Sequence, residues 1–196
     1  CRHCMYACSP RWRADWISEE DGERILSQLS ETLHGRYPYP GSVGLNYGIH
    51  FTGGEPFLNF DLLLHITRLA HRMEIPSTFV ETNSFWCRED ATVRKRLIEL
   101  KAAGLNGILI SANPFVVERV PFERTERAAR IGEEVFGGNA MIYQRFFYDQ
   151  FRRLGLKGTL AFEEYLQRAG NSLRYAELLP GGRISYKLGS VSYTHL

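Results

Sequence analysis

Short strand-like runs alternate with helix-like segments along most of this chain, and that alternation constrains the fold more than any other feature. Residues 48–52, 78–82, 107–111 and 140–143 are short runs, largely apolar or β-branched, next to turn-forming residues, so they are predicted strands. Between these runs, apolar residues recur every three or four positions, as on an amphipathic helix. Repeated strand–helix units predict an α/β fold with a parallel sheet and right-handed crossovers.

The predicted helices are marked by their apolar spacing and by the residues that end them. The markers are Ile25, Leu26, Leu29 and Leu33; Leu62, Ile66, Leu69, Ala70 and Met73; Val93, Leu97 and Leu100; and Ala128, Ile131 and Val135. Gly35, Gly104 and the pair Gly137-Gly138 are predicted helix ends, and Pro121 suits a first helical turn. Periodicity alone does not separate a barrel from an open, doubly wound sheet.

The pattern is weaker towards the end of the chain. Helices are predicted from about residue 145 and again from about residue 160, followed by a strand near residues 175–178. Residues 191–196 resemble a translated sequencing-library adapter, so the fold is interpreted over residues 1–190 as one domain.

The composition is that of an ordinary globular domain. The 196 residues are 44% hydrophobic and 23% charged, enough for one substantial core. No run approaches the roughly 18 consecutive apolar residues that a membrane span needs, so no membrane is expected as a partner. The formal net charge of +2 gives no specific signal for nucleic acid.

Three of the four cysteines fall at the start of the chain, at Cys1, Cys4 and Cys8. A secreted disulfide framework would spread its cysteines along the chain, so this clustering favours a metal or cluster site. Cys1 and Cys4 form a C-x-x-C pair, which also occurs in zinc sites and redox motifs. Cys87 stands alone and is expected to be a buried or incidental thiol.

A glycine-rich turn follows the first predicted strand, with the sequence Gly53-Gly54-Glu55-Pro56. Glycine lets a backbone approach a ligand closely, and Pro56 stiffens the turn. Such a turn could also simply connect a strand to a helix.

Taken together, the C-x-[aromatic]-C pattern with His3 in the aromatic slot and the G-G-E-P turn resemble the two best-known motifs of the radical S-adenosylmethionine (SAM) superfamily. The cluster motif of that family is C-x3-C-x2-C, and Cys1 and Cys4 match its second and third cysteines. Its first cysteine would precede Cys1. The chain is therefore interpreted as an N-terminally truncated core-domain fragment, expected to be inactive or crippled.

The resemblance implies a fold and a chemistry. The expected fold is a partial (β/α)6 TIM-like barrel that lacks its first strand. The expected cofactors are a [4Fe–4S] cluster, with Cys1 and Cys4 as metal ligands, and SAM. Their reaction would generate a 5′-deoxyadenosyl radical that abstracts hydrogen from an unknown substrate.

The resemblance also implies binding residues at the ends of three strands. Gly53, Gly54, Glu55 and Pro56 would meet the amino group of SAM. Thr82 and Asn83 belong to a segment that resembles the family's T-N-G, with Ser84 where glycine is usual. In the family, the serine at the position of Ser111 often contacts SAM, and Asn113 lies nearby in the sequence. Strand ends are where such barrels place their sites, although polar residues there could also only cap helices.

Other residues carry weaker expectations. Arg119, Arg124 or Arg130 could hold the SAM carboxylate, but each is more typical of a solvated surface. His50, Tyr143 and Gln144 could face the substrate or pack in the core. Cys8 is expected to be a nearby non-ligand, although it could replace the missing cysteine. The run Pro180-Gly181-Gly182-Arg183 resembles a late G-R element of radical SAM domains with additional clusters.

The expected partners are a small-molecule, peptide or protein substrate and an electron donor such as a flavodoxin or ferredoxin. Oxygen sensitivity of such clusters favours a cytoplasmic setting. Two other classes stay open. One is a non-catalytic zinc module that uses Cys1, Cys4 and Cys8 with His3. The other is a doubly wound nucleotide-binding protein whose glycine turn cradles phosphate.

Overall fold

The computed structural model describes residues 3–9, 11, 15–33, 43–44, 48–176 and 182–183. Its strands are β1 (Ile49–Phe51), β2 (Thr78–Thr82), β3 (Gly107–Ser111) and β4 (Ala140–Tyr143). Its α-helices are α1 (Glu19–Leu33), α2 (Phe60–Arg72), α3 (Asp90–Ala102), α4 (Pro114–Val117), α5 (Phe122–Phe136), α6 (Arg145–Arg153) and α7 (Phe162–Ala169). Short 3₁₀ helices span Pro56–Asn59, Gly137–Asn139 and Gly170–Tyr175.

The four strands form one parallel sheet in the order β1-β2-β3-β4. In its register Val80 pairs with Ile108, and Ser111 pairs with Tyr143. Each strand therefore lies beside the strand that precedes it in sequence, and the described strands show no reversal of order. Right-handed crossovers in one direction place the connecting helices on one face of the sheet. The mixed α/β class and the four predicted strands are confirmed.

Strand alternation separates the two faces of the sheet. Val80, Ile108 and Ile110 point towards the helices and are fully buried in a core shared with side chains of α2, α3 and α5. The side chains on the opposite face of the sheet include His50 of β1, Glu81 of β2 and Ser111 of β3, and this face is called the site face. The helix-side face is a continuous apolar core, whereas the site face carries polar groups.

The helix ends follow local backbone chemistry. Gly104, just after α3, has a φ of 103°, and Gly137, just after α5, has a φ of 58°, so both take the left-handed conformation that favours glycine. Pro121 directly precedes α5. These predicted boundaries are confirmed, whereas the predicted stop at Gly35 lies outside the described residues.

Two differences from the sequence-based expectations concern short elements. The strand expected near residues 175–178 is wrong at Tyr175, which ends a 3₁₀ helix, and residues 177–178 lie outside the described part. Helix α4 is not predicted by periodicity because it has only four residues. It forms because Asn113 caps it and Pro114 fixes its first φ.

Among the described residues, no helix is both long and apolar enough to cross a membrane.

Replacing Ile110 by alanine is expected to lower the free energy of unfolding by about 3 kcal/mol, because it opens a cavity in a packed core. Ile110 is fully buried, whereas Ile98 on α3 is 51% exposed. The matched Ile98→Ala change should cost less than about 0.5 kcal/mol. Chemical denaturation of both variants measures the difference, and equal losses would contradict this core.

Candidate functional site

Four separate segments meet where the strands end. The glycine turn (residues 53–56) follows β1, residues 82–84 end and follow β2, and residues 111–113 end and follow β3. The cysteine loop (residues 3–9) contacts the first and third of these segments: Cys8 approaches Gly54, and His3 approaches Asn113. The carboxyl edge of the parallel sheet therefore gathers nearly all the described residues that the motifs single out.

The glycine turn needs glycine for its backbone. Gly53 and Gly54 have φ values of 95° and 81°, a region that other residues rarely adopt. A β-carbon on Gly54 would lie 3.6 Å from Cys8 Sγ. The turn thus brings bare main chain next to the cysteine loop, in the way that a ligand-approaching turn requires.

The Glu55 side chain points into the protein. The hydroxyl of Thr82 and the backbone N–H of Asn83 each donate a hydrogen bond of 2.8 Å to its carboxyl group. Glu55 is only 6% exposed, and this burial raises its pKa from 4.5 to about 7. Glu55 therefore fastens the glycine turn to the end of β2, and only backbone atoms of this residue are left for a ligand.

Thr82 is fully engaged in the same junction. Its hydroxyl donates to Glu55 and accepts the indole N–H of Trp86 and the backbone N–H of Ser84, both at 3.0 Å. A hydroxyl has one donor and two acceptor positions, so its capacity is used. The Trp86 ring stacks 4.0 Å from Phe57, directly after the buried Pro56. Thr82, a predicted cofactor-binding residue, thus joins the glycine turn to the end of β2, and Pro56, also predicted, is buried directly after Glu55.

Asn83 and Ser84 shape the turn after β2. The Asn83 side chain accepts the backbone N–H of Phe85 at 2.9 Å, an Asx turn. Ser84 has a φ of 65°, in the left-handed region that favours glycine. Its buried hydroxyl has no hydrogen-bond partner among the described residues.

Asn113 acts as a helix cap. Its side-chain oxygen accepts the backbone N–H groups of Phe115 and Val116, at 3.1 and 3.0 Å. Its amide nitrogen lies 3.4 Å from His3 Nε2. The capping role considered from sequence is confirmed for Asn113, which in addition touches the cysteine loop.

Ser111 leads to a polar cluster that the sequence did not reveal. Its hydroxyl donates to Glu81 Oε1 at 2.7 Å, while Thr52 Oγ1 and His50 Nε2 each lie 3.3 Å from Glu81 Oε2. Burial opposes ionisation of Glu81, but hydrogen bonds from His50 and Ser111 lower its pKa below the ordinary value. The site face therefore holds an ionised carboxylate beside a histidine ring.

Finding this cluster requires the strand register. The only sequence signal is that Glu81 alternates with the core residue Val80, so that a charge lies on the site face at the end of a buried strand. The sequence does not place Ser111 next to it, because that contact depends on the pairing of Glu81 with Leu109.

The cysteine loop is folded on itself and packs against the start of α4. The His3 ring stacks 4.9 Å from Phe115, and burial lowers its pKa to about 4. Its Nδ1 atom is buried and has no hydrogen-bond partner among the described residues. The backbone N–H of Cys8 donates to Cys4 Sγ at 3.3 Å, and Cys4 and Cys8 are free thiols.

The metal-ligand predictions are described only in part. Cys1 lies outside the described residues, so its position relative to Cys4 is not part of the structure. Within the described residues, no three histidine, cysteine or acidic side chains gather into a metal-binding group. Cys87 is buried in the main core, as expected for an incidental thiol.

The three candidate arginines have structural partners. Arg124 donates to the Phe85 carbonyl at 2.6 Å, and Arg130 pairs with Asp90 at the surface. Arg119 is 69% exposed beside Glu118. A cavity of about 550 Å³ lies near Arg130 on the helix side of the sheet, where Ala140 and Ile142 line it, and is not part of the strand-end site.

Tyr143 and Gln144 end β4. Tyr143 pairs with Ser111 in the register and so lies on the site face, as a substrate-facing residue would. Gln144 has a φ of 62° and begins the turn into α6.

No protein-family model matches the chain, and no curated protein matches it either. The function is therefore argued from the residues and their geometry.

The pKa of Glu55 predicts a pH dependence of stability. A folded pKa of about 7 above the ordinary 4.5 means that the folded state binds the proton more tightly, so stability is lost as the pH rises between these values. Relative to Glu55→Gln, which cannot ionise, the wild type should lose about 2 kcal/mol of unfolding free energy between pH 5 and pH 8. Denaturation at both pH values tests this, and a constant difference would contradict it.

The left-handed backbone of Ser84 predicts that replacement by glycine gives a more stable protein than replacement by alanine. Ser84→Gly removes both the left-handed strain and the unpartnered hydroxyl, whereas Ser84→Ala removes only the hydroxyl. The glycine variant should be more stable than the alanine variant by about 0.5–1 kcal/mol. Left-handed backbone costs a residue with a β-carbon roughly 1–2 kcal/mol, and the larger backbone entropy that glycine loses on folding offsets part of this gain. Thermal unfolding ranks them, and a more stable alanine variant would show that the backbone is unstrained.

Proposed function

We propose that this chain is the core of a radical SAM enzyme, with the cysteine loop supplying ligands to a [4Fe–4S] cluster and the strand ends binding SAM. The carrying observation is the packing of Cys8 against Gly54. Two motifs that are far apart in sequence lie in contact at the carboxyl edge of a parallel sheet. A plain strand-to-helix turn gives no reason for a cysteine loop to lie there.

The residues at this edge suit such a group. Cys4 Sγ already accepts a backbone N–H bond, the kind of contact that stabilises cluster thiolates. The orphaned Nδ1 of His3 is a buried polar atom at the same place. Cys1 and Cys4 would supply two of the three thiolates that the family motif provides to the cluster. The glycine turn would present backbone oxygens to the amino group of SAM, with Asn83 and Ser111 at the neighbouring strand ends.

Bound there, the cluster and SAM would supply a 5′-deoxyadenosyl radical that abstracts hydrogen from the substrate. The roles of the protein are to bind, orient and shield. Glu55 and Thr82 fix the glycine turn, and the stacked rings of Phe57 and Trp86 support it from below. Glu81 and His50 offer a charged and a polar group on the site face, where a substrate would lie.

The sheet is consistent with a partial (β/α)6 barrel. Strands in sequential order with helices on one face have the winding of a barrel, whereas a doubly wound sheet reverses its order. This favours the barrel over the nucleotide-binding alternative. An electron donor such as a flavodoxin or ferredoxin, and a cytoplasmic, oxygen-poor setting, belong to the same proposal.

The zinc-module alternative has less support. Three of its four ligands, His3, Cys4 and Cys8, lie within the described residues, and they do not form a metal-binding group there. The cluster proposal needs only Cys4 of these three.

Anaerobic reconstitution with iron and sulfide tests the proposal. The wild-type chain should take up both, with the broad visible absorption of an iron–sulfur cluster, and added SAM should change the electron paramagnetic resonance spectrum of the reduced cluster. Cys4→Ser should lose most of the iron, because it removes a thiolate ligand. Uptake of zinc but no iron would overturn the proposal.

Two variants serve as matched controls. Cys87→Ala removes a thiol that is buried in the helix-side core and should keep its iron. Cys8→Ser should also keep iron, since Cys8 is proposed to be a non-ligand. If Cys8→Ser lost its iron, Cys8 would be assigned as a ligand of the cluster instead of a non-ligand.

A further inference from the structure

The end of the described chain returns to the cysteine loop. The backbone N–H of Arg183 donates to the Cys4 carbonyl at 2.9 Å. Its guanidinium donates to the Ala7 carbonyl at 3.1 Å and also to the Cys8 carbonyl, 175 positions earlier in the chain. One residue therefore binds three carbonyl groups of the loop that carries the candidate ligands.

Gly182 fits the same loop closely. A β-carbon at this position would lie 2.2 Å from the Met5 carbonyl oxygen and 2.3 Å from that of Cys4. Such distances do not occur between real atoms, and both contacts are to backbone, which cannot easily move aside. Gly182 also has a φ of 57°. Only glycine therefore allows Arg183 to reach its position, and the pair Gly182-Arg183 is called the clamp.

The clamp acts on the most strained part of the loop. Ala7 has a φ of 53°, a left-handed conformation that costs a residue with a β-carbon roughly 1–2 kcal/mol. A turn closes through the Ala7 N–H, which donates to the Cys4 carbonyl at 3.0 Å. With Ala7 in this conformation, the next N–H, that of Cys8, donates to Cys4 Sγ. Charge-assisted bonds from Arg183 to the Ala7 and Cys8 carbonyls offset the strain.

We propose that Arg183 is a positioning residue for the cysteine loop. By holding the Ala7 and Cys8 carbonyls, it keeps the Cys8 N–H directed at the sulfur of Cys4. Cys8 then contributes its backbone rather than its thiol, as an outer-shell donor to a ligand. The identity of the metal group rests on the proposed function, whereas the clamp itself does not.

The opposite interpretation is that these contacts only anchor the end of the chain. In that case the cysteine loop would keep its shape by itself. Loss of the Arg183 side chain would then change amide hydrogen exchange only at residues next to position 183 in the sequence. Amide hydrogen exchange resolved to single residues separates the two. The sample is the whole 196-residue chain without metal, so that the outcome does not depend on cluster assembly.

In Arg183→Lys and Arg183→Ala, the amides of Ala7 and Cys8 should exchange about tenfold faster or more, as expected when charge-assisted hydrogen bonds are lost. Lysine keeps the charge but not the planar fork that reaches two carbonyls. Gly182→Ala should give the same acceleration by displacing the clamp backbone. Arg174→Ala is the matched control, because Arg174 lies near the same end of the chain and contacts the Tyr175 ring.

The proposal would be overturned if the amides of Ala7 and Cys8 exchanged at the wild-type rate in both Arg183 variants. It would also be overturned if they did so in Arg183→Lys alone, since a positive charge would then be enough to hold the loop. A second measurement is iron content after anaerobic reconstitution, which should fall in Arg183→Lys while its melting temperature stays near that of Arg174→Ala. If the wild type itself takes up no iron, the proposed function fails, but the exchange result still decides the role of the clamp.

Discussion

The buried carboxyl group of Glu55 is the interaction on which the rest of the site depends. It accepts hydrogen bonds from Thr82 and Asn83 and so joins the turn after β1 to the end of β2. A carboxyl group this deeply buried is costly unless its bonds are satisfied, so the geometry of both segments is fixed together. The glycine turn, held in this way, forms the surface that the cysteine loop meets at Gly54.

A consequence of this arrangement is that few side chains remain for direct ligand binding. Glu55, Thr82 and Asn113 all have motif positions that suggest contact with a ligand, yet each uses its side chain to support backbone. In the proposed site, ligand contacts would therefore come mainly from main-chain atoms, which need glycine at the point of closest approach. Glu81 on β2 carries a charge on the site face, where it contacts His50 on β1 and Ser111 on β3.

How well each feature can be predicted from the sequence depends on how far apart along the chain the interacting residues lie. The four strands and the ends of α3 and α5 were predictable, because alternation, glycine and proline act within a few residues. The placement of Ser111 beside Glu81 was not, because it needs the register between strands. Tyr175 was assigned to the wrong element for a related reason: its apolar neighbours fit a strand equally well, and its packing against Phe146 comes from tertiary structure.

The cysteine loop is the extreme case of this dependence on distant residues. It includes a left-handed alanine, and it is held from one side by the glycine turn and from the other by Arg183. Local sequence alone gives such a loop no reason to keep one shape, because the strain at Ala7 favours other conformations. Contacts with Gly54 and with Arg183 accompany the hydrogen bond from the Cys8 N–H to Cys4 Sγ. The cysteine loop is thus organised by contacts with distant parts of the fold, and a change that removes either contact should disturb the surroundings of the Cys4 sulfur before it disturbs the sheet.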